Sequence, residues 1–131
     1  MITHLDHLVL TTVNLEKCLD FYSRVLKMQV ITFGNHRYAL QFGEQKINIH
    51  QYGKEFEPKA HLPVPGALDL CFITNEPLDR VVAHIKSEGI VILEGPINRT
   101  GAIGPISSIY LRDPDLNLIE ISQYISPSSP Q

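Results

Sequence analysis

The chain has 131 residues, 44% of them hydrophobic, which is enough for one domain with a core of its own. Its net charge of −3 contains no run of like charges, which excludes the electrostatic footprint of a nucleic-acid or anionic-membrane binder. No basic segment precedes an apolar stretch at the start, no window nears a membrane-spanning length, and Cys18 and Cys71 read as free thiols of a reducing compartment. A cytoplasmic globular domain is expected.

In HLDHLVLTT, alternation places Leu5, His7, Val9 and Thr11 on one face of a strand, and Asp6, Leu8 and Leu10 on the other. Asn14 is a good helix N-cap, and Leu15, Cys18, Leu19, Tyr22 and Leu26 recur at helical spacing, predicting an amphipathic helix over 15–27. QVITF, RYALQF and KINIHQY are strand candidates separated by hairpin-type connections at Gly34-Asn35 and Gly43-Glu44-Gln45. Residues 53–66 hold three prolines and two glycines without periodicity and read as a linker.

The pattern then repeats. ALDLCFIT reads as a strand with Asp69, Cys71 and Ile73 on one face, and Asn75 and Pro77 open a second helix that ends near Gly89. IVIL, SSIYL and NLIEISQY complete the strands, and NRTGAIGPISS, residues 98–108, reads as a loop. DHLVL overlays LDLCF and KINIH overlays LIEIS, while Tyr38 precedes Asn48 by ten residues as Tyr110 precedes Glu120. Such self-similarity marks an internal repeat. The expected fold is α+β, with two tandem βαβββ modules, 4–52 and 67–124, whose mixed sheets wrap around a shared cavity with helices outside. Together they make one domain over 1–125, followed by a disordered tail at 126–131.

The repeat gives the chemistry a geometry. Equivalent positions are His7 and Asp69 on the first strands and Asn48 and Glu120 on the last. In LIEIS, Ile119 and Ile121 take the core, which leaves Glu120 in mid-strand on the opposite face, where an ionised carboxylate needs solvent, a partner or a metal. If the sheets face each other, these four side chains converge and His50 points the same way. An imidazole and two carboxylates, with an amide or second imidazole nearby, form a mixed nitrogen and oxygen ligand set for a divalent first-row ion. Each residue also has a plainer role: Glu120 paired with an arginine, His7 a hydrogen-bonded core histidine, Asp69 a group that orients His7, and His50 a polar lining.

The duplicated plan, the opening DHLVL, the helix end FYSRVLKM and the closing RDPDLNLIEIS resemble the vicinal oxygen chelate superfamily of glyoxalase I, extradiol dioxygenases and fosfomycin-resistance enzymes, over residues 4–124. FGEQKINIHQYGKEFEPKA, PLDRVVAHI and EGPINRTGAIGPISSIYLRDPD are similar to the group around glyoxalase domain-containing protein 5 and its bacterial relatives. The resemblance implies metal ligands at His7, Asn48, Asp69 and Glu120. Members usually carry His where Asp69 stands, and Glu or Gln, in glyoxalase I, where Asn48 stands. His50 is a candidate replacement for Asn48, so the metal set is read as His7, Asp69, Glu120 and His50, binding Zn, Ni, Mn or Fe. A homodimer is expected by the same resemblance.

Tyr38 and Tyr110 offer hydroxyls to a substrate, and Arg99 can hold a carboxylate or phosphate by two hydrogen bonds, so both tyrosines, Arg99 and Asn48 are candidate substrate-binding residues. Glu120 or Asp69 is the candidate base. The leading expectation is a metal-dependent lyase or isomerase acting on a small oxygenated metabolite. An iron(II) dioxygenase is the second expectation and a metal-free binding protein for a small ligand the third.

Overall fold

The computed structural model of the chain describes residues 1–125; the tail 126–131, expected to be disordered, lies outside the described residues. The elements run β1 (His7–Thr12), α1 (Leu15–Asp20), β2 (Gln29–Phe33), β3 (Arg37–Phe42), β4 (Gln45–Gln51), β5 (Asp69–Ile73), α2 (Leu78–Ser87), β6 (Glu94–Thr100), β7 (Pro105–Arg112) and β8 (Leu118–Tyr124). Two compact units result, Met1–Leu68 with Asp113–Asn117, and Asp69–Arg112 with the chain from Leu118 onward. Each holds a four-stranded mixed sheet, ordered β1-β4-β3-β2 in the first and β5-β8-β7-β6 in the second. In each, the first strand pairs in parallel with the last and the remaining pairs are antiparallel, so the βαβββ repeat is real. Among the described residues no helix is long and apolar enough to cross a membrane.

The first helix is shorter than its apolar spacing predicts. Asn14 caps it by accepting from the Lys17 N–H, but after Asp20 the chain widens into a π-helical segment, Phe21–Val25. That widening buries Phe21, Tyr22 and Val25 together, beside Cys18 and Met28. Such π-bulges change which side chains share a face, which a regular period cannot anticipate. Burial pushes the Cys18 thiol up to about 12 from 9.0. The neutral thiol therefore contributes stability that is complete below pH 9.0 and is lost as the pH rises towards about 12.

Two strand assignments move. IVIL is not a strand; the strand starts at Glu94 and runs to Thr100, through residues read from sequence as the beginning of a loop. Glu94–Thr100 contains Gly95 and Pro96 and has poor strand propensity, but β7 supplies its hydrogen-bonding partners. A register shift between Glu94 and Ile97 accommodates the proline. Gly95 is required there: at φ +107° a Cβ would stand 2.3 Å from the Ser108 carbonyl oxygen. Arg99 is consequently a strand residue.

Register also separates two tyrosines that sequence spacing had equated. The turn Gly43-Glu44 pairs Phe42 with Gln45, which sets Ala39 opposite Asn48 and Tyr38 opposite Ile49. In the second unit Tyr110 stands opposite Glu120. A one-residue difference in register transfers a side chain to the other face. Tyr38 thus shares the face of Ile47 and Ile49 and points away from Asn48 and His50.

The first unit also contains a densely bonded turn. Asp113, 3% exposed, accepts hydrogen bonds from the Tyr22 hydroxyl at 2.6 Å, from Asn117 Nδ2 at 2.8 Å, and from the backbone N–H groups of Asp115 and Asn117 at 2.9 Å. Asn117 Oδ1 accepts from the Leu68 N–H at 2.8 Å, and Asp115 Oδ1 from the Val13 N–H at 2.9 Å. Burial, reinforced by the Asp113 charge, pushes the Tyr22 pKa far up, so its hydroxyl remains a donor. Replacing Asp113 by Ala leaves several donors without an acceptor and is expected to cost about 3 kcal/mol in urea denaturation, against about 1 kcal/mol for Tyr22→Phe. Equal losses would show that the turn's backbone bonds contribute nothing.

Candidate functional site

The first unit's sheet carries its polar residues on the face turned away from Leu10, Ile47 and Ile49. Pairing aligns Val9 with Asn48, Thr11 with His50 and His7 with Lys46 on that face. The His7 ring is exposed, with Nδ1 2.8 Å from Asp6 Oδ1. A carboxylate at Nδ1 favours the tautomer with its proton there, an arrangement that suits an imidazole ligating through Nε2. The bond from His7 in turn holds the Asp6 carboxyl below its usual range.

His50 is only 4% exposed, and its Nδ1 has no hydrogen-bond partner among the described residues; nor has Asn48 Oδ1. Burial, with the Arg37 charge behind it, pulls the His50 pKa down, so the ring is neutral. The Phe56 ring meets it in an edge-to-face arrangement with centroids 5.6 Å apart, and the Arg37 guanidinium lies over the Phe56 ring, 4.6 Å from its centroid. His50 lines a concavity of about 380 Å³ whose other walls are mainly Val9, Leu62, Val64 and Leu68. This is an apolar hollow with one imidazole.

The second unit builds a polar one. Register sets Cys71 and Tyr110 beside Glu120, and Ser108 beside Ser122. Glu120 Oε2 accepts from Ser108 Oγ at 2.6 Å and from Ser122 Oγ at 3.3 Å, both serines being fully buried and 2.6 Å apart. One carboxylate oxygen is therefore pinned by hydroxyls from the sheet, and the carboxylate as a whole lines a concavity. Tyr110 Oη accepts from Arg99 Nε at 3.0 Å, which leaves the phenolic proton free to donate. That bond is also the main reason the Arg99 pKa lies above its ordinary value.

Glu120, Tyr110, Arg99, Cys71 and Tyr124 line a concavity of about 370 Å³. Its far wall is the turn at Gly101, where a Cβ would fall 2.9 Å from Tyr124 Oη. Asp69 is exposed, on the same face as Cys71, and is not part of this lining. Ser108 and Ser122 were not among the residues expected from sequence to serve the site. Ser122 announces itself by alternating with Glu120, but Ser108 is visible only once the β7–β8 register is known.

The expected metal ligands divide evenly: His7 and His50 lie in the first unit, Asp69 and Glu120 in the second. Among the described residues no three or more His, Cys, Asp or Glu side chains gather as a metal-holding group. Neither unit alone meets the three protein ligands that a catalytic metal site ordinarily needs.

Similarity to known proteins agrees with the fold. The profile of the Glyoxalase/Bleomycin resistance protein/Dioxygenase superfamily matches residues 4–121. The glyoxalase domain-containing protein RDO1 of Mycosarcoma maydis is 57% identical over 120 residues, 92% of this chain and 68% of that protein. Virulence protein STM3117 of Salmonella typhimurium is 56% identical, and its crystal structure superposes with a TM-score of 0.94 over 95% of this chain and 99% of that one. An integron cassette protein from the mobile metagenome of V. cholerae is 53% identical, with a TM-score of 0.94 over 95% of this chain and 98% of that one.

The two thiols should differ in reactivity. Cys71 is exposed, though partial burial raises its pKa, whereas Cys18 is wholly buried. Iodoacetamide at neutral pH should label Cys71 slowly, and Cys18 only after unfolding, as read by mass spectrometry. Labelling of Cys18 first would contradict the packing around the π-helical segment.

Proposed function

Because the chain belongs to the glyoxalase/bleomycin resistance protein/dioxygenase superfamily, we propose that it is a glyoxalase-like enzyme acting on a small oxygenated metabolite, with Glu120 as its base. The observation that carries this reading is the asymmetry of the Glu120 carboxylate. Its Oε2 is held by Ser108 and Ser122, and Glu120 and Tyr110 line one concavity. A base needs a fixed lone pair, and a carbanion adjacent to a carbonyl needs a donor for the oxygen that gains charge.

In a 2-hydroxy carbonyl compound, Oε1 of Glu120 takes the proton from the carbon beside the carbonyl. The electron pair of that C–H bond forms the enediolate, whose new charge rests on the former carbonyl oxygen. The Tyr110 O–H donates to that oxygen. The 2-hydroxyl proton passes to the former carbonyl oxygen, and return of the carbon-bound proton from Glu120 to the former carbonyl carbon, with the new carbonyl forming at the neighbouring carbon, completes an isomerisation. Ser108 and Ser122 keep Glu120 from rotating between these steps.

A divalent metal, the cofactor the family resemblance implies, would supply a Lewis acid for adjacent substrate oxygens. His7, Asp69, Glu120 and His50 are its candidate ligands, two in each unit, so neither unit by itself supplies a full set. A second reading is a metal-free protein that binds a small ligand, and the mainly apolar hollow beside His50 favours it.

One experiment separates the readings. The protein is loaded in turn with Fe(II), Mn(II), Ni(II) and Zn(II), and its metal content is measured beside that of a His7→Ala, Glu120→Ala variant. Exchange of the carbon-bound protons of hydroxyacetone and dihydroxyacetone is followed in deuterated water by NMR. Enzyme-dependent exchange that falls at least about a hundredfold in Glu120→Gln is the expected outcome. Stoichiometric metal in the parent and none in the variant would make the enzyme metal-dependent, with iron preference pointing to dioxygenase chemistry. Absence of both metal and exchange would leave the binding reading.

A further inference from the structure

We infer that the concavity of the second unit takes a small organic acid, its carboxylate on Arg99 and a neighbouring hydroxyl or ammonium group on Glu120. This rests on the proposed function only in taking Glu120 as the group that meets the ligand. The hollow of about 370 Å³ carries a cation and an anion, Arg99 and Glu120, in one lining. A ligand with a single carboxylate and a hydrogen-bond donor matches that pair. A phosphate dianion does not, because it would meet Glu120 and the nearby Glu94 with only one arginine in compensation.

Arg99 is prepared for such a ligand and not consumed by the protein. Of the five N–H donors of a guanidinium, Nε bonds Tyr110 Oη at 3.0 Å and Nη1 reaches the Asn98 carbonyl at 3.3 Å. Nη2 lies 3.5 Å from Glu94, too far for a good hydrogen bond. The remaining donors are open to a carboxylate, and the guanidinium is already held 5.6 Å from the centre of the Tyr110 ring. Its backbone is fixed by the pairing of Arg99 with Ile106. A pre-positioned guanidinium loses little freedom when it binds.

At the other end, Oε2 of Glu120 is occupied by serine hydroxyls, so Oε1 is the acceptor offered to the ligand. Tyr110 joins the two ends: its hydroxyl is bonded to Arg99 and its strand position is opposite Glu120.

The test is calorimetric titration of the full chain with lactate, alanine, pyruvate, lactamide and inorganic phosphate, with the arginine Nε signals followed by NMR. Lactate or alanine should bind, shift the Arg99 Nε signal and exceed lactamide in affinity by at least about tenfold, the usual scale for a charged hydrogen bond. Whichever of lactate and alanine binds more tightly identifies the donor as hydroxyl or ammonium, and pyruvate, which lacks the donor, should bind more weakly than either. Arg99→Gln should erase the advantage over lactamide and Arg99→Lys should keep part of it, with thermal melting confirming that both variants fold. Equal binding of lactamide and lactate, an undiminished preference in Arg99→Gln, tighter binding of phosphate, or no binding of any acid would overturn the inference. Loss of Glu120-dependent proton exchange with this binding intact would overturn the role of Glu120 as base and leave the acid site standing.

Discussion

The hydrogen-bond register between β7 and β8 is the constraint on which the second unit's site depends. It places Ser108 against Ser122 and Tyr110 against Glu120, so two buried hydroxyls reach one carboxylate oxygen and a phenol stands beside the other. A slip of β7 by one residue would turn Ser108 and Tyr110 to the opposite face, away from Ser122 and Glu120. The buried side of the same strands, with Ile109, Leu111, Ile119 and Ile121, resists that slip because it would expose the core. Packing on one face therefore holds the chemistry on the other.

The first unit solves a different problem. Its core closes over a buried carboxylate, Asp113, whose charge is matched by donors and not by a cation. A buried carboxylate is tolerated when several hydrogen bonds replace its hydration. The π-helical widening after Asp20 belongs to that solution, since Tyr22 is both fully buried and bonded to Asp113. On the polar face of this unit Asn48 Oδ1 and His50 Nδ1, beside an apolar hollow, have no hydrogen-bond partner among the described residues. Those groups contrast with Glu120, whose Oε2 is bonded by two serine hydroxyls, and they make the two polar faces chemically unlike despite their common topology.

Much of the architecture was legible in the chain. Alternation in HLVLTT, KINIHQ and LIEISQY identifies strands and separates Glu120 from its isoleucine neighbours, because the side-chain period of a strand is a local property. The duplicated order of elements is legible for the same reason, as are the N-cap at Asn14 and the helix after Pro77. These signals need no knowledge of what each strand pairs with.

Tertiary pairing decided the rest. Tyr38 and Tyr110 have the same spacing from the last strand of their modules but lie on different faces, since spacing along the chain does not determine register across a hairpin. Glu94–Thr100 becomes a strand against its own composition because β7 offers hydrogen bonds, and this moves Arg99 from a loop to a fixed position beside Tyr110. Ser108 becomes part of the Glu120 cluster only through the same pairing. By itself the sequence determined which residues carry charge, polarity and strand or helix period. Which of them meet was decided by the folded sheets, because hydrogen-bond register and burial are relations between distant segments.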